Sequence, residues 1–130
     1  MIMGAHILLY SDDPQADRTF FRDVLKFPNV DVGGGWLIFG LPPSEMAVHP
    51  ADGEKKQSHA GHAMQAAVLY LMCQDLKSVM QTLKQKGVAC TEVEEENWGV
   101  RTTIVLPSGA EIGLYQPKHE MALGLKQVSS

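Results

Sequence analysis

The strongest constraint on the fold is an internal repeat of one supersecondary unit. The run HILLY, His6 to Tyr10, is apolar and of strand length, and the SDDP that follows can cap a helix beginning at Pro14. Three more strand-length runs follow this helix, VDV, GWLIFG and EMAVH. The same order recurs in VLYLMC, QDLKSVMQTLKQKG, VACTEV, VRTTIVL and AEIGLY. The order of strand, helix and three strands, given twice, predicts two tandem βαβββ units.

Register supports the repeat. Placing His6 against Val68 brings Asp13 onto Asp75, each at the head of a helix. A longer third loop in the second copy brings Glu45–His49 onto Glu111–Tyr115. One such unit is too small to bury its sheet face alone, so we expect both to form a single domain. The predicted segments are a first unit at 1–50, a linker at 51–65, a second unit at 66–117 and a C-terminal tail at 118–130.

Charge and composition exclude several classes of partner. The formal net charge is −4 and no Lys/Arg cluster stands out, so we expect neither nucleic acid nor membrane as a partner. The start, MIMGAHILLY, lacks the basic residues and cleavage site of a signal peptide, which predicts a cytoplasmic protein. Cys73 and Cys90 are far apart, which favours free thiols over a disulfide or a zinc site.

These features together resemble a known family. The duplicated unit, the opening HILLYSDDPQADRTFFRDVLKFP and the closing LPSGAEIGLYQP are similar to the vicinal oxygen chelate superfamily. That superfamily includes glyoxalase I, fosfomycin and bleomycin resistance proteins, and extradiol dioxygenases. The resemblance covers roughly residues 4 to 117. It implies an α+β fold in which the two tandem βαβββ units form an open curved half-barrel around a cavity, with the helices outside.

Alternation along the strands then sorts the side chains into two faces. The aliphatic face, which we expect to pack on the helices, comprises Ile7, Leu9, Met46, Val48, Leu69, Leu71, Ile112 and Leu114. The other face holds most of the polar and aromatic groups: His6, Leu8, Tyr10, Glu45, Ala47, His49, Val68, Tyr70, Met72, Glu111, Gly113 and Tyr115. Burying such groups without a ligand is costly, so this face predicts a binding cavity.

The resemblance also implies where a metal would bind. Metal-dependent members carry their ligands at the positions of His6, Ala47, Val68 and Gly113, and only His6 can bind a metal. Gly113 stands where those relatives carry a ligand glutamate, so the family metal site is predicted to be largely lost. A displaced set of His6, His49 and Glu111 would resemble the two-histidine, one-carboxylate set of ferrous iron. The other interpretation is that both histidines are hydrogen-bonded to nearby acids or tyrosines.

Two functions from different classes follow, with a third behind them. The first is a small-molecule binding protein without a resident cofactor, which binds an apolar or aromatic ligand in the inner cavity. Its predicted ligand-binding residues are His6, Tyr10, Glu45, His49, Tyr70, Glu111, Gly113 and Tyr115. The alternative is an extradiol-type dioxygenase or a glyoxalase-type lyase or isomerase, holding Fe, Mn, Ni or Zn on the displaced set. The third is a structural module with an occluded cavity.

Several residues outside these faces allow two interpretations. His59 and His62 have a spacing that suits a metal, but their polar surroundings favour a solvated loop. Trp98 belongs to a solvated edge or folds over the cavity mouth, and Trp36 to a mobile lip or a core hairpin. Arg101 pairs with an anionic ligand or with nearby acids. The resemblance further implies a homodimer, in which units are sometimes exchanged between subunits.

Overall fold

The computed structural model describes residues 2–53 and 55–126 of an α+β protein with two helices and three open sheets. The helices are α1 (Pro14–Asp23) and α2 (Leu76–Gln85). Asp13 caps α1 by accepting from the Ala16 N–H, and Asp75 caps α2 in the same way from Ser78. The predicted helix starts are therefore confirmed. Among the described residues, neither helix combines the length and apolarity needed to cross a membrane.

The described residues also form eight strands: β1 (Asn29–Asp31), β2 (Leu37–Phe39), β3 (Lys56–His59), β4 (His62–Gln65), β5 (Tyr70–Met72), β6 (Glu94–Glu96), β7 (Gly99–Val105) and β8 (Glu111–Pro117). The largest sheet has four strands in the order β5-β8-β7-β6. β5 and β8 are parallel, which requires a crossover, and α2 with the following strands supplies it. The order from β5 to β8 is thus β-α-β-β-β.

The first half of the chain is less complete than the repeat predicts. β1 and β2 form an antiparallel pair, but the strands expected at His6–Tyr10 and Glu45–His49 are not formed, and both runs are irregular. Their apolar side chains are exposed, and Met46 and Val48 are each 87% exposed. A strand needs a partner backbone for its N–H and C=O groups, and neither run finds one in the described part of the chain. The β1-β2 pair and the four-stranded sheet therefore stay separate and open.

The predicted linker contains a short hairpin. β3 and β4 pair antiparallel with His59 opposite His62, and every residue of both strands is exposed. Two histidines on an exposed hairpin agree with the solvated interpretation of this stretch. An isolated two-stranded hairpin is marginally stable in water, so this element adds little to the core.

One core cluster joins both halves of the molecule. Its buried members are Phe20, Phe21, Cys73, Leu76, Leu83, Val88, Ile104, Leu106, Ile112 and Leu114. The aliphatic face predicted for the strands of the second unit is confirmed, because Ile112 and Leu114 are buried and Leu69 and Leu71 pack against the cluster. The corresponding prediction for Ile7, Leu9, Met46 and Val48 is wrong, since these side chains are exposed where their strands have not formed.

A buried carboxylate fastens α1 to the turn between β7 and β8. Asp17 is 7% exposed, and its Oδ1 accepts the Ser108 N–H at 3.0 Å. Its Oδ2 accepts the Ser11 hydroxyl at 2.7 Å. Hydrogen bonds to a charged acceptor are about twice as strong as neutral ones. This contact therefore helps to fix the four-stranded sheet against α1.

Candidate functional site

Three aromatic rings meet on the face of the large sheet opposite the core. Tyr70 comes from β5, Tyr115 from β8 and Trp98 from the turn between β6 and β7. Ring centroids are 5.4 Å apart for Tyr70 and Tyr115, 5.2 Å for Trp98 and Tyr115, and 5.9 Å for Tyr70 and Trp98. All three pairs are edge-to-face, with interplanar angles of 72° to 89°. We call these three residues the aromatic cluster.

Gly113 allows this cluster to form. It pairs directly with Tyr70 across the parallel β5 and β8 strands, so both lie on the same face. A Cβ atom on Gly113 would lie 2.8 Å from Tyr70 Cγ and closer still to two other ring carbons. The glycine therefore marks the close approach of an aromatic ring, and the space next to it is filled by Tyr70.

A second glycine signals the position of Trp98. A Cβ atom on Gly99 would lie 2.6 Å from the Gln116 carbonyl oxygen and 3.1 Å from Tyr115 Cδ2. Gly99 thus lets the end of β7 approach β8, and the preceding Trp98 reaches the Tyr115 ring. Trp98 therefore packs on the Tyr70 and Tyr115 rings and remains 37% exposed, and its place over a cavity mouth stays a prediction.

Glu45 and His119 form a polar edge around Tyr115. The Tyr115 hydroxyl donates to Glu45 Oε2 at 3.3 Å and forms a hydrogen bond of 3.2 Å with His119 Nε2. His119 Nε2 also lies 3.6 Å from Glu45 Oε2. Burial raises the pKa of Tyr115, and the nearby Glu45 carboxylate raises it further, so the hydroxyl remains a proton donor at neutral pH.

Arg101 is held by acids on the same face. Its guanidinium contacts Glu94 Oε2 at 2.7 Å and Glu96 Oε1 at 3.2 Å. The hydrogen bond to Glu96, together with the charges of both glutamates, raises the pKa of Arg101 and keeps it cationic. The interpretation in which Arg101 pairs with nearby acids is therefore confirmed. Arg101 lies opposite Tyr115 in the register of β7 and β8.

The structure brings together half of the predicted ligand-binding residues. Tyr70, Gly113 and Tyr115 adjoin one another, and Glu45 contacts Tyr115 although its own strand has not formed. His119 was not predicted as a site residue, because it lies beyond the last strand where alternation carries no information.

The other four predicted residues lie outside the cluster, although Glu111 is on the same face of β8, two residues from Gly113. His6 and His49 are exposed on irregular runs. The Tyr10 hydroxyl contacts His59 Nδ1 on the hairpin, and Glu111 accepts the Thr103 hydroxyl at 2.7 Å. Trp36 lies away from the core, 61% exposed, with the Arg18 guanidinium 4.5 Å above its ring.

The residues at the family metal positions do not fit a metal ion. Three of the four positions, Ala47, Val68 and Gly113, have no side-chain donor atom. On β8, the Tyr70 ring fills the space beside Gly113. Within residues 2–53 and 55–126, no three His, Cys, Asp or Glu side chains are grouped to hold a metal. The displaced set of His6, His49 and Glu111 stays a prediction.

Comparison with known proteins then decides the family. The family model of the Glyoxalase/Bleomycin resistance protein/Dioxygenase superfamily matches residues 5–114. The chain belongs to this superfamily. The resemblance drawn from the repeat and its flanking motifs is therefore confirmed, as is the α+β class of the fold. None of the curated proteins matches the chain significantly.

Solved structures show the same fold at low sequence identity. TnmS3, an antibiotic binding protein from Streptomyces sp. CB03234, is 21% identical with a TM-score of 0.54, covering 91% of this chain and 100% of its own. Lactoylglutathione lyase from Agrobacterium tumefaciens is 15% identical with a TM-score of 0.59, covering 88% and 92%. A superfamily member from Sphaerobacter thermophilus DSM 20745 is 22% identical with a TM-score of 0.54, covering 88% and 98%. At these identities the likeness concerns the fold alone.

Proposed function

We propose that this superfamily member binds an apolar or aromatic small molecule on the aromatic cluster, without the family metal. The observation that carries the proposal is the Tyr70 ring packed over Gly113. A glutamate at Gly113 would collide with that ring, so an aromatic surface replaces a metal ligand at this point. Binding by ring contact is the chemistry that such a surface supports.

The exposure of the rings supports the same proposal. Trp98 is 37% exposed and Tyr70 is half-buried, so both present ring surface to a ligand. Arg101 and the two glutamates paired with it supply the few polar groups at the edge of this mostly apolar surface. The TnmS3 neighbour, an antibiotic binding protein, provides a precedent on this fold and makes aromatic antibiotics natural candidates.

We also propose that the protein acts as a cytoplasmic homodimer, with neither nucleic acid nor membrane as a partner. The exposed apolar side chains on His6–Tyr10 and Glu45–His49 support a second copy as the missing strand partner. In such a dimer, alternation would turn His6, Tyr10 and His49 toward the face that carries Glu45. These three residues and Glu111 would then join the ligand site.

The binding proposal is tested with a Trp36→Phe protein, in which Trp98 is the single tryptophan. Naphthol and acridine orange are titrated by calorimetry and by Trp98 fluorescence, followed by a panel of aromatic antibiotics. We expect Tyr70→Ala in this background to weaken binding about tenfold, because it removes ring contact. His62→Ala on the exposed hairpin is the matched control and leaves affinity unchanged. Equal affinity in Tyr70→Ala and the control would contradict the proposed site.

The metal-free part of the proposal has its own test. Elemental analysis of the untagged protein, with titration of Fe, Mn, Ni and Zn into the apo form, is expected to give no stoichiometric metal. One metal per chain, lost in His6→Ala and in His49→Ala or Glu111→Ala, would overturn this expectation. It would support instead the displaced site of a dioxygenase or a lyase.

A further inference from the structure

Tyr115 is far more buried than its position on an open sheet face explains. It is 7% exposed, whereas its neighbour Trp98 is 37% exposed. Two contacts within the aromatic cluster account for part of this burial. Glu45 contacts the Tyr115 hydroxyl, and His119 contacts its ring from the chain after β8, residues 118–126, which we call the C-terminal segment.

The C-terminal segment is held to the sheet at its start and crosses the ring of Tyr115. The Lys118 N–H donates to the Trp98 carbonyl at 2.8 Å, and Lys118 Nζ donates to Glu95 Oε1 at 2.6 Å. The next residue, His119, lies over Tyr115 with ring centroids 6.0 Å apart and planes inclined by 31°. Its Nε2 forms a hydrogen bond with the Tyr115 hydroxyl. Both the ring and the hydroxyl of Tyr115 are thus contacted.

Glu45 also binds the C-terminal segment, through Ala122 and His119. Its Oε1 accepts the Ala122 N–H at 2.8 Å, while its Oε2 contacts Tyr115 and His119. The Glu45 side chain is 17% exposed, although Met46 and Val48 beside it are almost fully exposed. Glu45 therefore connects this irregular run to the four-stranded sheet through hydrogen bonds. Its charge strengthens each bond that it accepts.

We propose that the C-terminal segment is an autoinhibitory strap, which Glu45 holds across Tyr115 and which a ligand must displace to reach that ring. The proposal rests on the proposed function, because it regulates the same aromatic cluster. When only a fraction of molecules is open, the apparent dissociation constant equals the intrinsic one divided by that fraction. Loosening the strap therefore tightens binding without adding any contact to the ligand.

The strap and the proposed dimer do not compete for the same side chains. Glu45 points to Tyr115, while Met46 and Val48 are free for a partner. In a strand at Glu45–His49, Glu45 would lie on one face, and Met46 and Val48 would lie on the opposite face, as alternation predicts. Pairing with a second copy thus leaves the Glu45 contact in place.

The test removes one hydrogen bond and leaves Glu45 itself intact. Ala122→Pro deletes the N–H that Glu45 Oε1 accepts, and Ala122→Ser is the matched control that retains it. Hydroxyl-radical footprinting reads the accessibility of Tyr115, with the exposed Trp36 as a reference in the same molecule. We expect Tyr115 oxidation to rise several-fold in Ala122→Pro and to stay unchanged in Ala122→Ser. Glu45→Gln, which removes the charge, is expected to raise it as well.

Binding of naphthol and acridine orange to the same proteins tests the competition. We expect Ala122→Pro to bind at least one probe about tenfold more tightly than Ala122→Ser does. Unchanged Tyr115 protection in both Ala122→Pro and Glu45→Gln would overturn the strap. Accessible Tyr115 with unaltered probe affinity would overturn the competition. Accessible Tyr115 with no binding of either probe to any of the proteins would count against the proposed function and show that the segment merely covers the sheet.

Discussion

At the scale of single residues, Gly113 determines how closely the Tyr70 ring packs on the sheet face opposite the core. The strand context predicts that this glycine marks a bulge, a bend or a close approach, and the structure assigns the close approach to the Tyr70 ring. Alternation predicts that Tyr70, Gly113 and Tyr115 share a face. It does not predict Trp98 and His119, because their positions depend on a turn and on a tail that cross the sheet.

Replacing Gly113 with alanine tests this packing. Its Cβ would overlap the Tyr70 ring in a central strand, and overpacking of this kind costs about 1–3 kcal/mol. We expect Gly113→Ala to lower the free energy of unfolding by about that amount in urea denaturation. In a Tyr70→Ala background the same substitution is expected to cost much less, since the colliding ring is gone.

Gly4 offers a control for glycine replacement as such. Nothing lies within 4 Å of a Cβ built at Gly4, so Gly4→Ala is expected to leave stability within about 0.5 kcal/mol of the wild type. If Gly113→Ala costs the same with and without the Tyr70 ring, the collision is not the cause.

At the scale of elements, helices were predictable and some strands were not. Helix starts are encoded locally by a capping aspartate, and Asp13 and Asp75 cap the two helices as the sequence predicts. His6–Tyr10 and Glu45–His49 carry an equally clear apolar pattern, yet they are irregular. A strand is completed by backbone groups elsewhere, so its pattern shows which face would be buried but not what pairs with it.

The contact between α1 and the β7–β8 turn is testable through Asp17. Asp17→Ala leaves the Ser108 N–H and the Ser11 hydroxyl without their acceptor, and an unsatisfied buried donor costs about 1–3 kcal/mol. We expect a loss of unfolding free energy in that range by urea denaturation. Ser11→Ala removes one of the two donors, so its cost is expected to be smaller. A larger effect for Ser11→Ala than for Asp17→Ala would contradict the role given to the carboxylate.

At the scale of the whole molecule, two apolar runs, His6–Tyr10 and Glu45–His49, have no strand partner in the described part of the chain. The exposed side chains on the two irregular runs include Ile7, Leu8, Leu9, Met46 and Val48. Several exposed apolar side chains along one run are typical of an interaction site. The repeat predicts strands at both places, and an edge strand of a second copy would supply the hydrogen bonds that they lack.

The proposed dimer predicts the mass of the protein in solution and a substitution that weakens its association. By sedimentation velocity, we expect the wild-type protein at micromolar concentration to have twice its chain mass of 14.3 kDa. Val48→Lys places a charge in the proposed interface, where desolvation is costly, and is expected to weaken association at least about tenfold. Val93→Lys, at another exposed valine, is the matched control and should remain dimeric. In hydrogen exchange, the amides of residues 6–10 should lose protection in Val48→Lys but not in Val93→Lys, because the paired strands exist only in the dimer. A wild-type protein that stays monomeric at tens of micromolar would contradict the proposed partner and leave both runs as irregular segments of a single chain.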